Sequence, residues 1–227
     1  MLSFADYFCR NQNAISSEEQ HLLQQKKAAV IGCGGLGGYV VEALVRLGVG
    51  QIRIFDPDVF SASNCNRQIN ATVASLGCNK AETAASRSAS IHPFSTISAY
   101  ALDFRDVEED EAFQVDVIID CLDTLCARRE LAALCNRRDI PMVHGAVNGW
   151  HGQVAVQLPG TTLMDHLYPP HAVDSPQPLS VLSFTVTVIA GMQTAEAVKL
   201  LLKLPSSLHN SWLHVDLKDG EFLVNRW

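Results

Sequence analysis

Residues 28–47 read AAVIGCGGLGGYVVEALVRL. A short apolar run meets a cluster of glycines, and then apolar residues recur at 36, 40, 41, 44, 45 and 47. That is a strand, a tight turn and a helix in succession. Gly32, Gly34 and Gly37 spell G-x-G-x-x-G, with Gly35 inside it. Glycines there let backbone approach a phosphate, and the helix N-terminus favours its negative charge. The next strand, Gln51–Phe55, ends at Asp56, whose carboxylate is placed to accept hydrogen bonds from ribose hydroxyls. These residues define a nucleotide site that suits NAD as well as ATP. The plain alternative is a tight turn without a ligand.

The same rhythm repeats. Lys80–Ile91 is helical, Thr96–Leu102 alternates, Asp116–Ile119 is a buried-type strand, Thr124–Arg138 is helical and Pro141–Val147 is a strand. A β-α-β succession of this kind predicts a doubly wound, mainly parallel sheet of Rossmann type. Beyond it come a strand at Gly152–Leu158, a Pro-rich surface loop over 159–178, a buried helix within Ser180–Leu204 and a terminal hairpin with Asp219-Gly220 at its turn. A single domain over 1–227 is expected. It has a helical arm (1–26, with a Ser16/Glu19 capping box), an α/β core (27–158), a crossover loop (159–178) and an antiparallel C-terminal extension (179–227).

Composition narrows the function. Seventeen Lys and Arg against 24 Asp and Glu give a net charge of −7. Proteins that grip nucleic acid backbones are usually basic, so that role is not expected. No apolar run is long enough to span a membrane, and the N-terminus does not read as a signal peptide. Seven cysteines without a C-x-x-C pair fit reduced thiols in a cytoplasm. His166 and His171 lack a third clear ligand, so no zinc site is expected.

The residues after Asp56 separate ATP from NAD. Asn64, Arg67 and Gln68 lie within twelve residues of it, Lys80 opens the next helix, and Asp123 comes just past the fourth strand. Two cations, a polar amide and a carboxylate suited to magnesium at one crevice are equipment for a triphosphate. Asp123 also has a simpler use as the cap of the helix beginning near Thr124.

On these motifs the chain resembles the ThiF/MoeB/HesA family, relatives of the ubiquitin-activating enzymes. The carrying segments are GCGGLGG (32–38), LGVGQIRIFDPDVFSASNCNRQ (47–68), LGCNKAE (76–82), IDCLDT (119–124), PMVHGAVNGWHGQV (141–154) and GMQTAEAVKLL (191–201). The resemblance implies that the single domain is an adenylation domain. It implies an adenylyltransferase that uses ATP and Mg2+ on the Gly-Gly carboxylate of a small ubiquitin-like sulfur carrier, for thiamine or molybdenum/tungsten cofactor synthesis. It implies that Asp56 holds the ribose, that Asn64, Arg67, Gln68 and Lys80 attend the phosphates, and that Asp123 binds magnesium. It also implies that Arg10 reaches the neighbouring subunit's phosphates in a homodimer.

The chain departs from the family where many relatives carry zinc-binding cysteines, since its last cysteine is Cys135. Its crossover loop has no cysteine for a thioester, and Cys33, Cys65, Cys78, Cys121, Cys126 and Cys135 read as packed residues. That loop is expected as a mobile cover over the carrier tail, or as an ordinary surface connection. The competing readings are a tRNA threonylcarbamoyladenosine dehydratase, a non-catalytic partner subunit and an NAD-dependent oxidoreductase. The tRNA reading needs a basic face, for which Arg128, Arg129, Arg137 and Arg138 are the one cluster, read here as a solvated helix face.

Overall fold

The computed structural model describes residues 3–107, 110–174, 180–209 and 211–226. Its helices are α1 (Phe4–Phe8), α2 (Ser17–Gln25), α3 (Gly35–Arg46), α4 (Lys80–Ala89), α5 (Leu125–Arg138), α6 (Leu163–Leu167) and α7 (Ser183–Leu201). Its strands are β1 (Lys27–Ile31), β2 (Gln51–Phe55), β3 (Thr96–Tyr100), β4 (Val117–Asp120), β5 (Met142–Asn148), β6 (His151–Gln157), β7 (Ser211–Asp216) and β8 (Glu221–Arg226).

The eight strands form one sheet in the order β3-β2-β1-β4-β5-β6-β7-β8. Strands β1 to β5 pair in parallel, and β6, β7 and β8 add on antiparallel. The expected doubly wound sheet with an antiparallel extension is therefore present. The strand order reverses between β1 and β4, and such sheets open a crevice there, outside the carboxyl ends of the strands.

Two apolar layers cover the sheet. One packs α3, α4 and α7 against it through residues such as Val40, Leu44, Ala84 and Ile189. The other packs α5 and Met164 of α6 through Leu131 and Cys135. Helix α7 forms despite its run of Thr, Val and Ile because Thr185, Val186, Ile189, Ala190, Gln193 and Ala197 are buried along it. It lies directly on β5 and β6, where a Cβ on Gly145 would collide with Gln193 and one on Gly152 with Ile189.

The capping box at Ser16 and Glu19 opens α2 as expected. Three expectations need correction. The 159–178 segment, of which 175–178 lie outside the described residues, is not simply a loop, because Leu163 and Met164 are buried and close one helical turn and a half as α6. A five-residue helix is too short to show periodicity in sequence. Cys65, Cys78 and Cys126 are exposed rather than packed, and only Cys33 and Cys135 are fully buried. The α5 arginines are not all solvated: Arg128 is buried, and Arg129 is half-buried.

Candidate nucleotide site and acyl cleft

The turn from β1 into α3 needs its glycines. Gly32 has φ +88°, and a Cβ there would lie 2.7 Å from the carbonyl oxygen of Cys121, on the loop after β4. A Cβ on Gly37 would collide with the carbonyl oxygen of Gly32. Gly34 is the N-cap of α3 and supplies no side-chain cap. The first amides of α3 are thus left for an anion, which fits a phosphate.

Asp56 fastens this turn. Its Oδ2 accepts the Cys33 amide at 2.6 Å, and its Oδ1 accepts the Asp58 amide at 2.9 Å. Burial holds the Asp56 carboxyl above its ordinary value, against the opposing pull of the Cys33 amide and Lys80. Burial likewise pushes the Cys33 thiol far up. Lys80 is itself buried, and its Nζ meets Asp58 Oδ2 at 2.8 Å. Sequence reasoning missed Asp58; its position two residues after Asp56 is the one signal that could have found it.

The loop between β2 and α4 lies against the first turns of α3. Gln68 is buried with its amide beside Gly34, and its Oε1 has no hydrogen-bond partner among the described residues. Such an orphaned acceptor at a glycine turn suits a ligand donor. Arg67 is half-exposed and held inside its own loop, donating to Ser63 O and Asn66 Oδ1 at 3.0 and 2.8 Å. Asn64 accepts the Ser61 amide at 2.9 Å, so in this structure it orders the loop.

Asp123 is exposed and makes no side-chain hydrogen bond or ion pair among the described residues. It is not the cap of α5. Thr124 holds the N-cap position without a side-chain bond, and Asp174 accepts the Leu125 amide at 2.9 Å instead. A lone exposed carboxylate on the loop beside the glycine turn is the oxygen chemistry a hard divalent cation takes, so this donor fits magnesium.

Arg10 is not brought to this crevice. Phe8 and Asn11 flank it, and they pack on Gly48 and on Gln20, which in turn bonds Leu47 O. That is the far end of α3 from its glycine turn.

Beside Asp123 a cleft of about 410 Å³ runs between β5–β6–β7 and the segment after α6. Ala146, Val147 and Gly152 give it an apolar floor, with Asn148, Gln153 and Tyr168 among its polar walls. Beneath it lies a buried polar chain that sequence reasoning missed. Tyr168 Oη accepts hydrogen bonds from Arg128 Nη1 at 2.7 Å and Gln153 Nε2 at 2.6 Å. It is therefore left to donate to His144 Nε2 at 3.1 Å, while His144 Nδ1 donates to Asp120 Oδ2 at 2.7 Å. Burial pushes the His144 imidazole below its ordinary value, against the opposing pull of Asp120. Burial also pushes the Tyr168 hydroxyl up. A histidine in the middle of the apolar run PMVHGAV is the one sequence signal of this chain.

A doubly wound sheet with a glycine turn at its switch point places the chain in the Rossmann-like α/β class. The ThiF family model matches residues 8–226, and the chain belongs to that family. It is 35% identical over 145 residues to the tRNA threonylcarbamoyladenosine dehydratase of Bacillus subtilis, a match that covers 62% of this chain and 57% of that protein. It is 29% identical over 222 residues to the sulfur carrier protein adenylyltransferase of Thermus thermophilus, covering 92% and 81%. The fold matches a crystal structure of E. coli MccB with MccA at a TM-score of 0.84 and 20% identity, over 99% of this chain and 72% of that one. The adenylyltransferase class expected from the motifs agrees with the name of the second relative.

Proposed function

We propose that this chain uses ATP and magnesium to adenylate the C-terminal carboxylate of a small ubiquitin-like sulfur carrier ending in Gly-Gly, with release of pyrophosphate. The observation that carries this reading is the junction of two spaces at the β1/β4 crevice. An anion-ready glycine turn lies on one side, an apolar-floored cleft on the other, and between them Asp123, without a partner among the described residues. The relative named a sulfur carrier protein adenylyltransferase supports the carrier as substrate.

Each residue would have its own share of the work. Asp56 keeps the turn closed and offers its remaining lone pairs to the ribose. The first amides of α3, with Arg67, Lys80 and the Nε2 of Gln68, hold the phosphates, while Gln68 Oε1 is left for a ligand donor, and Lys80 leaves Asp58 to do so. Asp123 would hold magnesium, which supplies charge neutralisation across the phosphate oxygens. The carrier carboxylate is ionised at neutral pH and needs no general base. One of its oxygens forms a bond to the α-phosphorus as the bond to the leaving pyrophosphate oxygen breaks. Holding two anions together is positioning and electrostatics, where one well-placed donor is worth about 10²–10³ in rate. Arg10 enters this reading only in a homodimer, as part of the neighbour's site.

A second reading, activation of a carboxylate on modified tRNA, is favoured by the 35% identity to the dehydratase. It is disfavoured by α5, where Arg128 and Arg129 turn inward to Tyr168, Leu122 and backbone carbonyls instead of offering a basic face. ATP–pyrophosphate exchange with thiamine-type carriers, molybdopterin-type carriers and threonylcarbamoyl-tRNA decides. Exchange with one carrier alone establishes the reading and the pathway; exchange with the tRNA alone replaces it.

A further inference from the structure

The stretch 168–174, just past α6, is fastened at three places to α5, whose first turns hold the loop that carries Asp123. Asp174 Oδ1 accepts the Leu125 amide at 2.9 Å, which caps α5 from outside its own chain segment. Arg129 Nη2 donates to the carbonyl oxygens of Tyr168, Pro169 and Ala172 at 3.2, 2.6 and 3.0 Å. Arg128 bridges the two segments directly: Nη1 reaches Tyr168 Oη at 2.7 Å, while Nε and Nη2 reach Leu122 O at 3.1 and 2.5 Å. Asp123 stands between these anchors. Leu122 on one side is gripped through its carbonyl, and Leu125 on the other is capped through its amide. Thr124 contributes no cap of its own. The same stretch forms a wall of the cleft, since Tyr168, Ala172, Val173 and Asp174 line it opposite β5 and β6.

We infer that Tyr168 and Asp174 are positioning residues for Asp123: stretch 168–174 is a strap that fixes loop 121–124 and reports to it what occupies the cleft. The catalytic consequence rests on the adenylation reading above; the mechanical part does not. The strap's grip on Tyr168 is made rigid from beneath. The buried Asp120–His144 pair fixes the tautomer that accepts the Tyr168 proton, and so leaves the hydroxyl oxygen to Arg128 and Gln153. An extended chain end lying in the cleft would press the strap on one side while its carboxylate approaches Asp123 on the other. The substrate is then sensed at the residue that completes the phosphate site, through two hydrogen-bonded links rather than through the sheet.

The test uses the full chain and the variants Asp174→Ala, Asp174→Asn and Tyr168→Phe. The first readout is amide hydrogen–deuterium exchange over residues 121–127 without ligands. The second is the ATP–pyrophosphate exchange rate as magnesium is varied. Asp174→Ala is expected to speed amide exchange at Leu125 at least about tenfold and to raise the half-saturating magnesium concentration severalfold, with KM for ATP unchanged. Asparagine caps as well as aspartate, so Asp174→Asn is expected to restore both to near wild type. Tyr168→Phe is expected to speed exchange over 121–124 a few-fold and to lower kcat more than KM. Unchanged amide exchange in Asp174→Ala and Tyr168→Phe would overturn the strap. Asp174→Asn matching Asp174→Ala in its magnesium dependence would overturn positioning in favour of a direct charge on the metal. Loosened amides in a chain that turns over no acyl partner would support the strap and defeat the adenylation reading alone.

Discussion

Asp56 Oδ2 and the amide of Cys33 meet at 2.6 Å, across the gap between the end of β2 and the glycine turn after β1. The carboxylate expected to face a ribose is thus also the fastener of the glycine turn. Removing it acts on both. Asp56→Ala is expected to lower unfolding free energy by about 1.5–3 kcal/mol, the range for a hydrogen bond to a charged group. It should weaken ATP binding at least about tenfold. Asp56→Asn keeps one acceptor and should fall between. Denaturant unfolding and calorimetric ATP titration check this, and an Asp56→Ala chain with wild-type values of both would refute it.

Two glycines of the turn differ in what surrounds them. A Cβ on Gly37 meets backbone, the Gly32 carbonyl oxygen, whereas one on Gly35 meets only the Val186 methyls at 3.6 Å. Gly37→Ala should cost about 1–3 kcal/mol of stability, the range for forcing atoms into packed space. Gly35→Ala should be neutral or slightly stabilising, because alanine suits a helix better than glycine. Equal thermal shifts for the two would show that the turn yields as a unit.

Among the described residues Arg67 bonds only within its own loop, so its loss should spare the fold. Arg67→Ala is expected to shift Tm by no more than a degree or two and to slow pyrophosphate exchange by about 10²–10³. A rate within threefold of wild type would remove Arg67 from the phosphate site.

His144 is buried, and its proton affinity is lowered below the ordinary 6.5. The unfolded chain therefore binds a proton that the folded chain refuses. Stability from this group is fully present above about pH 6.5 and is lost as the pH falls below it, by at most about 1.4 kcal/mol per pH unit. Denaturant midpoints compared at pH 7.5 and 5.5 should drop more for the wild type than for His144→Gln. Parallel drops would place the acid sensitivity elsewhere.

The fold was largely legible because periodicity and glycine position report on local structure. Gly32 and Gly37 mark the turn whether or not a ligand is known, and the apolar spacing of 36–47 sets α3. The candidate site was readable where a carboxylate follows a strand end closely, as at Asp56, next after β2, and Asp123, on the loop after β4. It was not legible where a polar side chain works through a partner distant in sequence. Nothing near Arg128 announces Tyr168, forty residues on, so the arginine reads as surface. Nothing near Thr124 announces Asp174 as the cap of α5. Cys65 and Cys78 read as packed because a cysteine near a site is usually buried, but their loop runs over the surface.

The reversal of strand order between β1 and β4 divides the molecule's responsibilities. Everything proposed to handle the nucleotide, from the glycine turn to Lys80, issues from β1, β2 and the helices on their side. Everything that shapes the cleft, from Asn148 to the 168–174 stretch, issues from the strands on the other. Only the loop bearing Asp123 belongs to both. A lineage could therefore retool what the cleft accepts by changing one half of the sheet while inheriting the other intact, so the two halves are free to evolve at different speeds.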